Sequence, residues 1–510
     1  MSRRVFGSGA TALVAGWPLL ARAIGPGEEI TTDVRAHGAR GDGLAIEAPA
    51  FNRAINALMQ AGGGTLRVPA GRYRCFSIRL RSRLRILFDP GAVIVAARPG
   101  EGGGRYDLPE PAEGLYQDFG HSHWHNSLMW GEDLEDLVIE GPGRIEGEGL
   151  TRDGPGARWR AQTGERPLSM AGMSAQEIAQ LEPDHAAMAG QGNKAIALRG
   201  GRNVRLSGFT IDRGGHIAIL ATGTRSLLVE NLVIDTERDG IDLDCVRDVM
   251  VRGCRVNSPN DDAIVVKSSL ALGQSMASEN VVVRDCHVSG FDRGTLLDGT
   301  RQRTQLLAPD RDRVTGRIKL GTESNGGYRN VLIEDCSFTH CRGLALETVD
   351  GGTMENVVVR RLVMEQVTSA PLFVRLGDRR RGPEGTGIGA VRGIAISEIV
   401  ARGIAEPLPV ILAGIAARSI ESVQLHDIDL SFAGGSPVVP GTVPELPHAY
   451  PEPSMFGAIP AWALWARHVE RLDLRGFTAR TERHDARPAL NLAGVVDVRQ
   501  AGVELVNTEH

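Results

Sequence analysis

Aromatic residues are scarce in this chain, only 5% of 510, so large ring clusters cannot carry its core. Beyond its first segment it lacks any run approaching the ~18 uninterrupted apolar residues that a membrane span requires, which leaves no membrane partner. Positive charge is not in excess: 57 Lys and Arg stand against 62 Asp and Glu, a formal net charge of −5. That balance argues against nucleic acid as a partner. Cysteine is sparse, with six residues, and a chain this long can build a core without disulfide staples. Three of the six, Cys254, Cys286 and Cys336, recur at one repeat position and read as a buried apolar stack. Glycine, by contrast, is abundant at 64 residues, alongside 42% hydrophobic residues. Such a mixture suits many short strands joined by turns, and the length allows one large domain or about three ordinary ones.

Residues 1–23 read as an address rather than as structure. Arg3-Arg4 precedes a modest apolar stretch to Leu20, and Ala21-Arg22-Ala23 supplies small residues for cleavage. The Arg pair is that of a twin-arginine export signal, so the expected location is periplasmic or secreted, from a bacterial source. Its removal takes away three Arg and no acid, leaving a more acidic remainder. Residues 24–510 are then expected to form a single domain.

That domain is repetitive. Units beginning at Asn203, Ser226, Asp248, Asn280, Asn330 and Asn356 each open on a polar residue followed by Val, Leu or Ile triplets, at intervals of 23, 22, 32, 50 and 26 residues. A period near 22 with β-branched alternation predicts an all-β fold, a parallel β-helix whose coils bury their inner faces by stacking. The Leu and Asn ladder of a leucine-rich repeat is absent. Earlier units at Leu134 and Leu84, and later ones at Gly393 and Val423, extend the stack through most of the chain. Its open end needs a cover. Residues 48–60, with Phe51, Ile55 and Leu58 at helical spacing ahead of Gly62-Gly63-Gly64, predict an N-terminal capping helix. Insertions are expected near 151–194, where Ser174 and Glu177 form a capping box, near 299–316 and near 431–460. They wall a groove or are simply tolerated loops.

Counting 13 residues from successive repeat starts reaches His216, Asp239 and Asp261, with Asp262 next in line. Asp and Asn often serve only as turn formers in such coils. Carboxylates held side by side do more: like charge raises one pKa and leaves another ionised, which yields an acid and a base from one residue type. This is glycosidase chemistry in outline. Neighbouring coils lie about 4.8 Å apart, and outward splay is expected to open the carboxyls toward the ~6.5–9.5 Å of an inverting enzyme. Asp261 is the expected general acid, with Asp239 and Asp262 binding and activating water. His216 either joins them or is satisfied locally.

With these residues in place, the chain resembles glycoside hydrolase family 28, the polygalacturonases and rhamnogalacturonan hydrolases, over residues 31–480, as a divergent member. Gly38-Ala39-Arg40-Gly41-Asp42-Gly43, Gly62 to Gly71, and Tyr450-Pro451-Glu452-Pro453-Ser454-Met455-Phe456-Gly457 are similar to that family's segments. The resemblance implies a right-handed, pectin-lyase-like solenoid and assigns Asp261 the acid role. Of the family's four short motifs, the first keeps only Asp239. The second survives as Asn260-Asp261-Asp262 with a family-like Lys267, and the third loses its His, which falls on Arg293 or Gly316. His216 is a candidate replacement. The fourth motif has Ala345 and Glu347 where Arg and Lys grip a sugar carboxylate, which points away from ordinary polygalacturonase specificity. An Arg317-Ile318-Lys319 occurs earlier, at a different repeat position, either supplying those cations or forming a solvated pair. His121-Ser122-His123-Trp124-His125 reads as a strand whose alternate His share one face, first as a substrate wall, then as packing, and last as a metal site.

The resulting expectation is an exported, monomeric glycoside hydrolase that takes no cofactor and no metal. It would act on a pectic or related acidic polysaccharide by inversion, with exo-action favoured. Its site is expected to hold Asp261, Asp239 and Asp262 for catalysis, with Lys267, His216, Arg293, Arg317 and Lys319 on the substrate. The rivals are a lyase or epimerase on the same architecture, and a non-catalytic polysaccharide-binding protein.

Overall fold

In the computed structural model, residues 30–509 are described, apart from 112–115, 118, 152–173, 175–184, 305–313, 406 and 440–441. The expected export segment lies outside the described residues, as do most of the 151–194 insertion, including Glu177 of its capping box, and much of the 299–316 insertion. Thirty-three strands join one continuous sheet, and every strand ladder is parallel. The chain is a right-handed parallel β-helix, the hand that parallel crossovers take almost without exception.

The six repeat starts explain how each coil turns. Asn203, Ser226, Asp248, Asn280, Asn330 and Asn356 all take φ between 54 and 57°. This left-handed region is costly for most side chains and tolerated by Asn and Asp, whose short polar groups bond locally. Stacked coils then place these turns above one another, and their side chains form a ladder: Asn280 Nδ2 donates to Asp248 Oδ1 at 2.7 Å, Asn330 Nδ2 to Asn280 Oδ1 at 3.0 Å, and Asn356 Nδ2 to Asn330 Oδ1 at 2.7 Å. Between turns, alternating Val, Ile and Leu point inward to form one long core with Leu206, Val229, Val251, Val283, Ile333 and Val359 stacked in register.

The Ala48–Gln60 helix covers the N-terminal end, burying Phe51, Ile55 and Leu58 against the first coils. All six cysteines are free and buried. Cys254, Cys286 and Cys336 continue the offsets of the neighbouring ladders and share one position of the stack, as the repeat implies.

Asn330→Ala removes two ladder hydrogen bonds and the side chain that tolerates the left-handed turn. A loss of about 1–3 kcal/mol is expected, read as a lowered melting temperature, with Asn330→Gly less damaging because glycine retains the turn.

Candidate active site

The Asp239–Asp244 strand pairs with the Ile264–Ser268 strand, Ile241 opposite Ile264, and with the Ile217–Thr222 strand, Ile217 opposite Asp239. Carried back, these offsets make a column of Ile217, Asp239 and Asp262. The column expected from equal counting, His216, Asp239 and Asp261, is therefore out by one residue at both ends. The cause is local: the coil holding Asp239 is one residue shorter between its two ladders than the coils on either side. Proximity survives the correction, because Asp261 and Asp262 lie in the turn just ahead of their strand. An oxygen of each of Asp239, Asp261 and Asp262 lies within 4.8 Å of the others. The nearest oxygens thus splay less than expected.

Asp242, three residues along the same strand and between the core residues Ile241 and Leu243, joins Asp239 in sharing two cations. Lys267 Nζ stands 2.8 Å from Asp242 Oδ2 and 3.6 Å from Asp239 Oδ2. His121 Nε2 stands 3.1 and 3.4 Å from the same two oxygens, with Lys267 Nζ against it. Asp262 takes Arg317 Nε at 2.9 Å on one oxygen and Lys319 Nζ at 3.6 Å on the other. Asp261 meets Arg238 Nη2 at 3.2 Å. The Asp262 backbone N–H donates to both Asp239 Oδ1 and Asp261 Oδ1, at 3.2 and 3.1 Å, fixing the geometry of all three. Asp239, Asp242, Asp262, Lys267, Arg317 and Lys319 are buried, while Asp261 is partly exposed.

Arg317 and Lys319 are at the site because the Ile318–Ser324 strand stacks directly on the Ile264–Ser268 strand, Val265 opposite Lys319. The Arg-Ile-Lys triplet sits one coil away from Asp262, and Ala345 of the expected fourth motif lies on the next coil, opposite Lys319. Glu347, on that next coil, accepts from Lys319 at 3.3 Å. Beyond it, Glu452 arrives on the Tyr450 to Gly457 segment and takes both Arg317 Nη atoms at 3.2 and 2.7 Å and Arg342 Nη1 at 2.7 Å.

The remaining candidates have partners of their own. His216 sets its ring edge-on to that of His121 at 5.9 Å, and His121 Nε2 stands beside Asp239 and Asp242. Arg293 pairs with Glu237 at 3.0 Å and reaches Asp212 at 3.9 Å. Gly316 lies next to the acid through its backbone, its N–H donating to Asp261 O at 2.8 Å. The His121 to His125 stretch is no strand: residues 119–122 form a single helical turn. Its histidines separate, His121 meeting Asp239 and Asp242 while His125 faces Glu110 and Glu132. Carboxylate partners thus exist that sequence spacing hides. Asp242 could have been found from its outward position in Asp-Gly-Ile-Asp-Leu-Asp; Arg342 carries no comparable signal.

Burial, then the charges of Asp242 and Asp261, push Asp239 up to about 7, so this set retains a proton in the neutral range. Burial and Lys267 oppose charge on His121, but Asp239 and Asp242 outweigh them and hold its imidazolium up to about 10. Burial opposes charge on Lys267 as well; Asp242 and Asp239 nevertheless keep its pKa well above the ordinary range. Burial also pushes Glu347 up to about 7 against the pull of Lys319 and Arg317. Glu452 is the converse case: Arg317 and Arg342 overcome its burial and lower it to about 2. The donor sets His121, Asp239, Asp242 and Asp239, Asp261, Asp262 have metal-like spacing, yet protein cations already contact each of these acids.

Two apolar patches flank the charges. Trp124 covers Ala197, Ile217 and Leu220 on the N-terminal side. Phe456 and Ile459 cover Ala345, Phe373, Ile411 and Trp465 on the C-terminal side. Phe456 and Ile459 of the 431–460 stretch thus pack on the outside of the sheet.

Residues 176–308 match the model of a right-handed β-helix region. The chain is 22% identical over 433 residues to a probable polygalacturonase of Vitis vinifera, covering 79% of this chain and 75% of that protein. In structure it resembles a hyperthermoactive exopolygalacturonase of Thermotoga maritima, with TM-score 0.58, 21% identity, and 79% and 87% of the two chains covered. It also resembles a family 28 exopolygalacturonase of Yersinia enterocolitica, with TM-score 0.57, 16% identity, and 94% and 78% covered. These likenesses support the β-helical fold.

The raised pKa of Asp239 has a definite sign. Its neutral form is favoured in the folded chain, so its contribution to stability is fully present below about 4 and is lost as pH rises through about 7. Asp239→Asn is expected to gain stability relative to the parent between pH 5 and pH 8, read from melting temperatures across that range. Arg317→Ala takes the nearer cation from Asp262 and one of two from Glu452, leaving Lys319 and Arg342 as their partners, and is expected to cost about 3 kcal/mol, read by chemical denaturation.

Proposed function

We propose that this protein is a polygalacturonase-like glycoside hydrolase acting on a pectic or related acidic polysaccharide. The observation that carries the proposal is the convergence of Asp239, Asp261 and Asp262 within 4.8 Å, one partly exposed and two buried. Asp261 protonates the leaving oxygen. Asp262 with Asp239 binds the attacking water, whose proton Asp262 takes as the new C–O bond forms and the glycosidic C–O bond breaks, and the shared proton near Asp239 then returns to Asp261 to restore the acid. One acid on the leaving group and separate carboxylates on water is the division of labour of single displacement with inversion.

Substrate charge meets Lys267, Arg317 and Lys319, which are shared with buried acids, so a uronate carboxylate competes with Asp262 and Glu347 for them. The polygalacturonase relative and the two exopolygalacturonase structures favour this substrate class. The apolar walls contributed by Trp124 and by Phe456 with Ile459 favour a closed-ended pocket and exo-action. The same reading makes residues 24–510 a single exported, monomeric unit and the chain a divergent family 28 member.

Purified protein incubated with pectic oligosaccharides is expected to release reducing ends from chain termini, with the inverted anomer seen first by NMR. Asp261→Asn is expected to lower turnover by about 10³-fold or more without changing the melting profile. A folded, fully active Asp261→Asn protein would falsify the assignment. An unsaturated product absorbing in the ultraviolet would replace hydrolysis with elimination, and binding without cleavage would make the protein a polysaccharide-binding one.

A further inference from the structure

Away from the carboxylate column, Glu110, His125 and Glu132 bring one ligand atom each to a common point. Glu132 belongs to the Met129–Glu132 strand, and His125 follows the short helix that delivers His121. His125 Nε2 stands 3.3 Å from Glu132 Oε2 and 3.5 Å from Glu110 Oε1. For a tetrahedral zinc ion with bonds of about 2.0–2.1 Å, ligand atoms lie about 3.3–3.4 Å apart along the tetrahedron's edge. The His125 separations match that edge.

A second observation is independent of the spacing. His125 Nε2 is buried and makes no hydrogen bond, although two carboxylates lie close by. A nitrogen with a carboxylate oxygen of each glutamate within 3.5 Å and a hydrogen bond to neither suits a shared ion. The outer contacts are those that orient metal ligands. Arg199 Nη1 holds Glu132 Oε1 at 3.0 Å and leaves Oε2 facing His125. The backbone N–H groups of Trp124 and His125 donate to Glu110 at 3.0–3.3 Å. Trp130 packs on the His125 ring, centroids 3.8 Å apart, and sets its plane.

We propose that Glu110, His125 and Glu132 form a binding site for a first-row divalent cation of the zinc class, with an open fourth position for water. The expectation of a metal-free chain is thereby revised at a place outside the carboxylate pocket. Its role is structural: it ties the strand bearing Glu132 to the segment that ends in His125, four residues from His121. The inference does not depend on the proposed hydrolysis.

The test uses the full chain without a polyhistidine tag, stripped with chelator and titrated with Zn²⁺ by calorimetry and with Co²⁺ by visible absorption. One equivalent is expected to bind, with the intense d–d bands of a tetrahedral cobalt site and a rise in melting temperature. Loss of an outer-shell partner typically weakens metal binding about 10–100-fold, so His125→Ala, which removes a direct ligand, is expected to weaken it by at least about 100-fold. Glu132→Gln preserves side-chain size and gives the answer should His125→Ala fail to fold. Absence of binding overturns the proposal. Binding that survives both substitutions, or a cobalt spectrum without tetrahedral bands, overturns it as well.

Discussion

An ionised carboxylate taken out of water loses solvation worth several kcal/mol, and only a close cation with good hydrogen bonds offsets that loss. Asp239, Asp242, Asp262 and Glu347 are all buried, and each meets a cation through a contact that stacked coils make possible. Lys267 lies one coil from Asp242, Arg317 and Lys319 one coil from Asp262, and Glu347 one coil from Lys319. Acids and bases therefore alternate along the solenoid axis, each neutralising the coil beside it. Two further contacts come from loops: His121 on Asp239 and Asp242, and Glu452 on Arg317.

This arrangement links stability to chemistry. Complete neutralisation would leave inert ion pairs, but burial raises Asp239 to about 7 despite His121 and Lys267, so the cluster can exchange a proton under ordinary conditions. Asp261 is the partly exposed member of that cluster. Glu452 does the opposite work. Lowered to about 2 by Arg317 and Arg342, it stays charged and holds Arg317 where Asp262 needs it. The pocket is thus assembled from inside by strand register and from outside by loops that bring a second layer of charges and the apolar walls.

The fold follows from physics legible in the amino-acid order. Polar residues at intervals near 22, each followed by β-branched triplets, specify a coil, and the left-handed φ of all six repeat starts shows why Asn, Asp and Ser stand there. The capping helix was equally plain, because helical spacing of Phe51, Ile55 and Leu58 ahead of three glycines has few other readings. Counting from repeat starts placed the acids in one neighbourhood yet misjudged the column by one residue, since a count passes over a turn whose length varies from coil to coil.

The sequence by itself determined the solenoid, its N-terminal cover, the buried thiol stack and the gathering of Asp239, Asp261 and Asp262, because each depends on periodic, local preferences. Only the tertiary structure decided that Arg317 and Lys319 stand beside Asp262, that His121 meets Asp239, that Glu452 completes the network, and that His125 faces two glutamates. Those contacts join residues from 55 to 135 positions apart or arrive on loops of irregular length. No period encodes such meetings; they arise when stacked coils and the segments crossing them fill the same space.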